Sequence, residues 1–190
     1  MSELSTDSGQ RSQQSLIVLD RDGVINHDST AFIKSPHEWI ALPGSPEAIK
    51  QLNDAGFTVL VATNQSGVGR GLFSRETLEG IHAKMLATVT AAGGHIDGIY
   101  YCPHDPDAAC DCRKPQPGLL RQIAQEYHCS AADMIIVGDS LRDLEAAWAF
   151  GASAILVRTG NGLTTEQGLP ADQCVTILDD LTAVAAQLTA

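Results

Sequence analysis

Short, largely apolar runs punctuate the chain at residues 16–19, 57–62, 96–101, 134–137, 154–157 and 174–178. Each is long enough for a strand and too short for a buried helix, and none alternates apolar with polar positions. Uniformly apolar strands belong to parallel sheets covered by helices on both faces. Helical segments fill the gaps. Ser45-Pro46-Glu47 offers an N-cap, an early proline and an acid in the first turn, and Gly56 stops that helix. Ser74 opens a second segment to about Ala92, closed by Gly93-Gly94. Two more run from Gly118 to about Tyr127 and from Arg142 to about Phe150, with Gly151 as the stop. This alternation predicts an α/β, doubly wound three-layer sandwich with a mostly parallel sheet. In such sheets chemistry gathers beyond the carboxyl ends of the strands.

Composition narrows the functional classes. Of 190 residues, 44% are apolar and 18% charged, enough to bury a core. The expected organisation is one domain over residues 15–190, preceded by a polar tail, residues 1–14, expected to be disordered and without an apolar secretion segment. No run of 18 apolar residues implies a membrane span. The formal net charge of −11 argues against nucleic-acid or anionic-membrane partners, because no excess of basic side chains can replace phosphate counterions. Five cysteines, three of them in one short segment, are poor disulfide arithmetic and point to a reduced, cytoplasmic setting. A monomer is expected.

The ends of the apolar runs carry the chemistry. The first ends in Asp20-Arg21-Asp22-Gly23, where two acids could face one crevice and Gly23 allows a tight turn or close approach. A solvated turn is the competing reading. The fourth ends in Gly138-Asp139-Ser140, with Asp143 close behind. Carboxylates packed so closely repel unless a cation lies among them, and Mg²⁺ suits a few carboxylates plus phosphate oxygens. Thr63-Asn64-Gln65-Ser66-Gly67 supplies oxyanion donors, or ordinary loop polarity. Arg113-Lys114-Pro115 adds two cations that, with a metal, make a local positive hole in an acidic molecule. Phosphoryl transfer uses all these parts: a carboxylate nucleophile, an acid/base, and cations for the phosphoryl oxygens.

Cys102-Pro103-His104 and Cys110-Asp111-Cys112 place four N/S donors close together. Each alternate pair can chelate one ion, and four protein ligands make a closed, structural zinc site. The competing reading is three incidental cysteines and a surface histidine. Cys129 and Cys174 read as core cysteines; His27, His37, His82, His95 and His128 read as surface or packed residues, and Trp39 and Trp148 as packing.

Residues 19–25, Leu-Asp-Arg-Asp-Gly-Val-Ile, resemble the first motif of the haloacid dehalogenase-like (HAD) phosphohydrolases. Thr63, Lys114 and the Gly138-Asp139-Ser140/Asp143 group follow in that family's order. The resemblance implies Asp20 as nucleophile and Asp22 as general acid/base. It implies Mg²⁺ held by the Asp20 carboxylate, the Asp22 carbonyl and Asp139, with Thr63 and Lys114 gripping the phosphoryl group and Asp143 behind the metal. Residues 99–104, the Cys112-to-Pro115 junction, the Thr63-to-Gly67 stretch with Arg70-Gly71, and residues 157–160 narrow it further. They resemble zinc-loop phosphatases that remove the 7-phosphate of a heptose 1,7-bisphosphate in making nucleotide-activated heptose for lipopolysaccharide core or surface glycans. That implies no large cap domain, since the stretch from Asn26 to Pro43 is too short for one. It also implies a sugar-bisphosphate substrate met by Asp28, Ser29, Thr30, Ala31, Thr63, Asn64, Gln65, Ser66, Arg70, Arg113, Lys114 and Ser140. Arg113 and Arg70 are the expected phosphate clamps. Two departures stand out: some members carry a tyrosine where Ala31-Phe32 stands, and a lysine in place of Ser140. Histidinol-phosphatase, with a similar zinc loop, is the nearest alternative; a receiver-type phosphoacceptor domain and a non-catalytic zinc-stapled module are the remote ones.

Overall fold

The computed structural model describes residues 15–170 and 173–190, so the expectation for residues 1–14 lies outside the described residues. Six parallel strands form one sheet: β1 (Leu16–Leu19), β2 (Thr58–Asn64), β3 (Gly98–Cys102), β4 (Met134–Gly138), β5 (Ser153–Val157) and β6 (Thr176–Leu178). Their order is β3-β2-β1-β4-β5-β6. The seven α-helices among the described residues are α1 (Ser45–Asp54), α2 (Ser66–Gly69), α3 (Arg75–Ala91), α4 (Gly118–Glu126), α5 (Leu141–Phe150), α6 (Gly162–Gln167) and α7 (Leu181–Leu188).

Alternate residues of β1 explain its unbroken apolar run. Ile17 and Leu19 pack with Ile49 and Leu52 of α1, Ile81 and Met85 of α3, and Leu181 and Val184 of α7. Leu16 and Val18 face the opposite way, against Leu119, Leu120 and Ile123 of α4 and Ala146 and Ala147 of α5. Both faces are covered, as the pattern predicts. Trp39 is buried with the first cluster, and Trp148 is half-buried.

Local chemistry moves several boundaries. Helix α1 is capped by Gly44 at φ 78°, not by Ser45. The Ser45 hydroxyl instead donates to the Ile25 carbonyl at 2.6 Å, fastening the helix start to the loop after β1. The third strand begins at Gly98, because Asp97 Oδ2 accepts from the Val59 amide at 2.8 Å and ends the ladder early. The last strand shrinks to Thr176–Leu178, leaving Cys174 exposed and not in the core, whereas Cys129 is partly buried and packs against the second core cluster. Helix α7 is absent from the sequence reading, although Asp180 caps it by accepting from the Ala183 amide. Helices α2 and α6 are short turns that polar loop composition conceals.

From β1 the chain builds outward to β2 and β3, then crosses to β4 on the other side. The direction of winding therefore reverses between β1 and β4, which opens a crevice at their carboxyl ends. Asp20 and Asp139 follow those two strands directly. The segment between β1 and α1 makes only isolated bridges, Asp22 with Asn26 and Asn26 with Ala41, and forms a flap, not a cap domain. No helix among the described residues is long and apolar enough to cross a membrane.

Candidate active site

Three buried carboxylates meet at the crevice. Oxygen atoms of Asp20, Asp139 and Asp143 lie within 4.8 Å of one another. Lys114 reaches into the same space, with Nζ 3.1 Å from Asp20 Oδ1 and 2.6 Å from Asp143 Oδ1. Its ammonium also donates to the Ala62 carbonyl at 2.8 Å. The Asn64 amide holds the Lys114 backbone from both sides, donating to its carbonyl at 3.0 Å and accepting from its amide at 3.1 Å. The end of β2 thus aims a lysine at the end of β1.

Glycines make the crowding possible. A Cβ on Gly23, which has φ +87°, would lie 2.2 Å from Asp139 Oδ2, and one on Gly160 would meet the same oxygen at 2.2 Å. Asp139 sits in this cradle, accepting from the Asn161 amide at 2.7 Å and the Ser140 hydroxyl at 3.0 Å.

One ammonium within ion-pair reach does not balance three carboxylates out of water. Burial, with the charges of Asp143, Asp139 and Asp22, pushes the Asp20 carboxyl up to about 7 despite Lys114. Burial and Asp143 raise Asp139 as well. Asp143 and Asp20 outweigh burial at Lys114, whose pKa rises and whose charge is retained. A hard divalent cation fits this donor set: it needs oxygen ligands and would supply the missing positive charge.

Asp22 is set apart from the cluster. Its side chain accepts five hydrogen bonds, at 2.8–3.1 Å: three from the Arg21 guanidinium and one each from the Asn26 and Gln65 amides. Burial alone would raise its pKa, but the Arg21 charge and these donors hold it below the usual carboxylate range. Arg21 is only 1% exposed. Its Nη1 lies 3.5 Å from His82 Nε2, and the His82 ring meets Tyr101 edge-on. Burial, then the Arg21 charge, lowers His82 to about 4, so this packed histidine is neutral.

The four residues expected to hold zinc, Cys102, His104, Cys110 and Cys112, also converge, their ligand atoms within 4.8 Å of one another. Cys102 Sγ lies 3.8 Å from Cys110 Sγ and 3.5 Å from His104 Nδ1, and His104 Nδ1 lies 3.2 Å from Cys112 Sγ. A tetrahedron with Zn–S bonds of about 2.3 Å has sulfur–sulfur edges of roughly 3.8 Å, so three thiols and one imidazole fit a closed zinc site. The loop packs on its neighbours by backbone. The Gly69 amide donates to the Pro103 carbonyl at 2.8 Å, and the Gly118 amide to the Asp111 carbonyl at 2.9 Å.

Comparison with known proteins places this arrangement. A family model described as polynucleotide kinase 3 phosphatase matches residues 15–147, and one described as HAD-hydrolase-like matches residues 111–184. The D-glycero-beta-D-manno-heptose-1,7-bisphosphate 7-phosphatase of Pseudomonas putida is 53% identical over 174 residues, covering 91% of this chain and 98% of the relative. The like-named protein of Bordetella bronchiseptica is 54% identical over 175 residues, covering 91% and 97%. The chain belongs to this family of HAD-like phosphatases. A crystal structure of the D,D-heptose 1,7-bisphosphate phosphatase from B. bronchiseptica, complexed with magnesium and phosphate, superposes with TM-score 0.90 at 52% identity, covering 92% and 98% of the two chains. The Burkholderia thailandensis counterpart gives 0.74 at 43%, covering 92% and 98%. Membership makes the chain a phosphoric monoester hydrolase and removes the receiver-domain and non-catalytic alternatives.

Against the residues expected of the family, the cleft over Asp20 is lined by Asp22, Asp28, Ser29, Thr63, Asn64, Gln65, Ser66 and Arg113. Lys114 and Asp143, 4% and 0% exposed, are buried against Asp20 and do not line the cleft. Besides Lys114, four expected contacts are not on this wall. Thr30 and Ala31 point to solvent, and the loop lines the cleft through Phe32 and Ile33. Arg70 pairs with Asp105 of the zinc loop at 3.2 Å and lies 5.9 Å over the Phe32 ring. Ser140 turns inward to Asp139 and caps α5. Sequence reasoning overlooked Arg142, which lines the cleft two residues past Ser140, and Arg21, which fastens Asp22.

Proposed function

We propose that the chain hydrolyses the 7-phosphate of D-glycero-beta-D-manno-heptose 1,7-bisphosphate through a phosphoryl group held transiently on Asp20. The observation that carries this reading is the Asp20, Asp139, Asp143 and Lys114 cluster at the sheet's reversal point, in a chain 53–54% identical to two phosphatases named for that substrate.

Asp20 attacks phosphorus, and Thr63 and Lys114 hold the phosphoryl oxygens. Asp20, Asp139 and the Asp22 carbonyl would hold Mg²⁺, which supplies Lewis-acid charge to the phosphoryl oxygens when bound. The leaving sugar oxygen takes a proton from Asp22, and the same carboxylate later removes one from the water that frees phosphate. The five hydrogen bonds around Asp22 favour its ionised form, the one the second step needs. To act as the acid, Asp22 takes up a proton and sheds at least one of them. Zinc on Cys102, His104, Cys110 and Cys112 would brace the loop whose next residues are Arg113 and Lys114. The product, a heptose 1-phosphate, is the form that nucleotide activation consumes.

A substrate panel tests the reading. We expect kcat/KM for the beta heptose bisphosphate to exceed that for the alpha anomer and for histidinol phosphate by at least tenfold. A higher value for histidinol phosphate would reassign the substrate.

A further inference from the structure

In a chain of net charge −11, free cations facing the catalytic cleft are conspicuous. Among the described residues Arg70, Arg158 and Arg21 are each committed to carboxylates, on Asp105, on Glu166 with Asp179, and on Asp22. Two arginines on the cleft wall are not. Among the described residues Arg113 makes no side-chain hydrogen bond, and its Nη1 is buried without a partner. Arg142 makes no hydrogen bond and no ion pair within 4.0 Å among the described residues.

Arg142 is also in an electrostatically poor place for a helix. It occupies the first turn of α5, directly before Asp143, where the helix N-terminus disfavours positive charge. The carboxylates of Asp143, Asp20, Asp139 and Asp28 compensate at longer range and keep the guanidinium charged. In the reading above the transferred phosphoryl group already has Lys114 and Thr63, so a further pair of forked cations on the cleft wall exceeds what one phosphate needs.

We propose that Arg142, together with Arg113, binds the phosphate that is not transferred and so sets the preference for a sugar bisphosphate over a monophosphate. The proposal rests on the reading of the substrate given above. Arg142 thus takes the clamp role that the family resemblance implied for Arg70. It does so because Ser140 is spent on Asp139 and the cap of α5, while Arg70 is spent on the zinc loop.

The test compares kcat/KM for heptose 1,7-bisphosphate and for heptose 7-phosphate, in the wild-type protein and in the Arg142→Met and Arg142→Lys variants. The wild-type bisphosphate-to-monophosphate ratio should be high. In Arg142→Met it should fall about 10- to 100-fold, mainly through KM for the bisphosphate, the size expected for a lost charge-assisted contact. Arg142→Lys should keep part of it. An unchanged ratio in Arg142→Met, beside a high wild-type ratio, would overturn the role of Arg142 alone. A wild-type ratio near one would instead overturn the substrate reading beneath it. A general loss of activity on both substrates, with the ratio preserved, would also contradict the proposal, since it is the mark of a structural residue.

Discussion

The Lys114 ammonium lies 3.1 Å from Asp20 Oδ1 and also closes on Asp143, and all three side chains are withdrawn from water. The lysine therefore serves two ends at once. It neutralises part of a buried acidic cluster, and it stands where a transferred phosphoryl group needs positive charge.

Replacing it separates those ends. Lys114→Met should lower kcat/KM by about 10²–10³-fold, as loss of a preorganised charge donor does. It should also cost about 3–5 kcal/mol of stability, because the carboxylates it leaves are buried and unpaired. Adding Asp143→Asn should recover part of the stability and none of the activity. Steady-state kinetics and urea denaturation of the single and double variants check both halves.

His82 makes stability depend on pH in a defined direction. In the unfolded chain it takes up a proton near its ordinary value of 6.5, whereas the folded protein resists until about 4. Its contribution is present above 6.5 and is lost as pH falls from there toward 4. Between pH 7.5 and 5.0 this amounts to about 2 kcal/mol. His82→Gln should therefore lose less stability than the wild-type protein across that interval, measured by urea denaturation at both pH values. Parallel losses would show that His82 is not the group responsible.

The loop from Cys102 to Cys112 predicts a metal requirement separate from that of the carboxylate cluster. Cys110→Ser should lower bound zinc below one equivalent by elemental analysis, whereas Cys129→Ser should leave it unchanged. Because Cys112 directly precedes Arg113 and Lys114, kcat/KM should fall along with zinc content. Full zinc occupancy in Cys110→Ser would contradict the ligand set.

Much of this site is legible in the amino-acid sequence, and the reason is chemical. Asp20, Asp139, Asp143 and Lys114 are residue types that phosphoryl transfer requires; Asp20 and Asp139 directly follow strand ends, Asp143 stands in the first turn of the helix after β4, and Lys114 stands just before the rigid break at Pro115. Gly23 was readable as a point of close approach, and its missing Cβ is what admits Asp139. What escaped depends on contacts between distant segments. Arg70 looks like a free clamp until the zinc loop brings Asp105 beside it. Ser140 looks like a substrate contact until its hydroxyl is seen to be taken by Asp139. The bidentate grip of Arg21 on Asp22 joins adjacent residues, yet their spacing alone does not say that both side chains turn the same way. Helix α7 escaped because its short Ala-rich segment carries no strong stop signal; only Asp180 marked it.

Stereochemistry at phosphorus tests the covalent role of Asp20 most directly. The substrate would be heptose bisphosphate carrying a chiral, oxygen-labelled thiophosphate at position 7, hydrolysed in water of a third oxygen isotope. Transfer to Asp20 followed by transfer to water is two in-line displacements, so the inorganic thiophosphate should emerge with its configuration retained. Inversion would mean that water attacks the substrate directly, and Asp20 would no longer be the nucleophile.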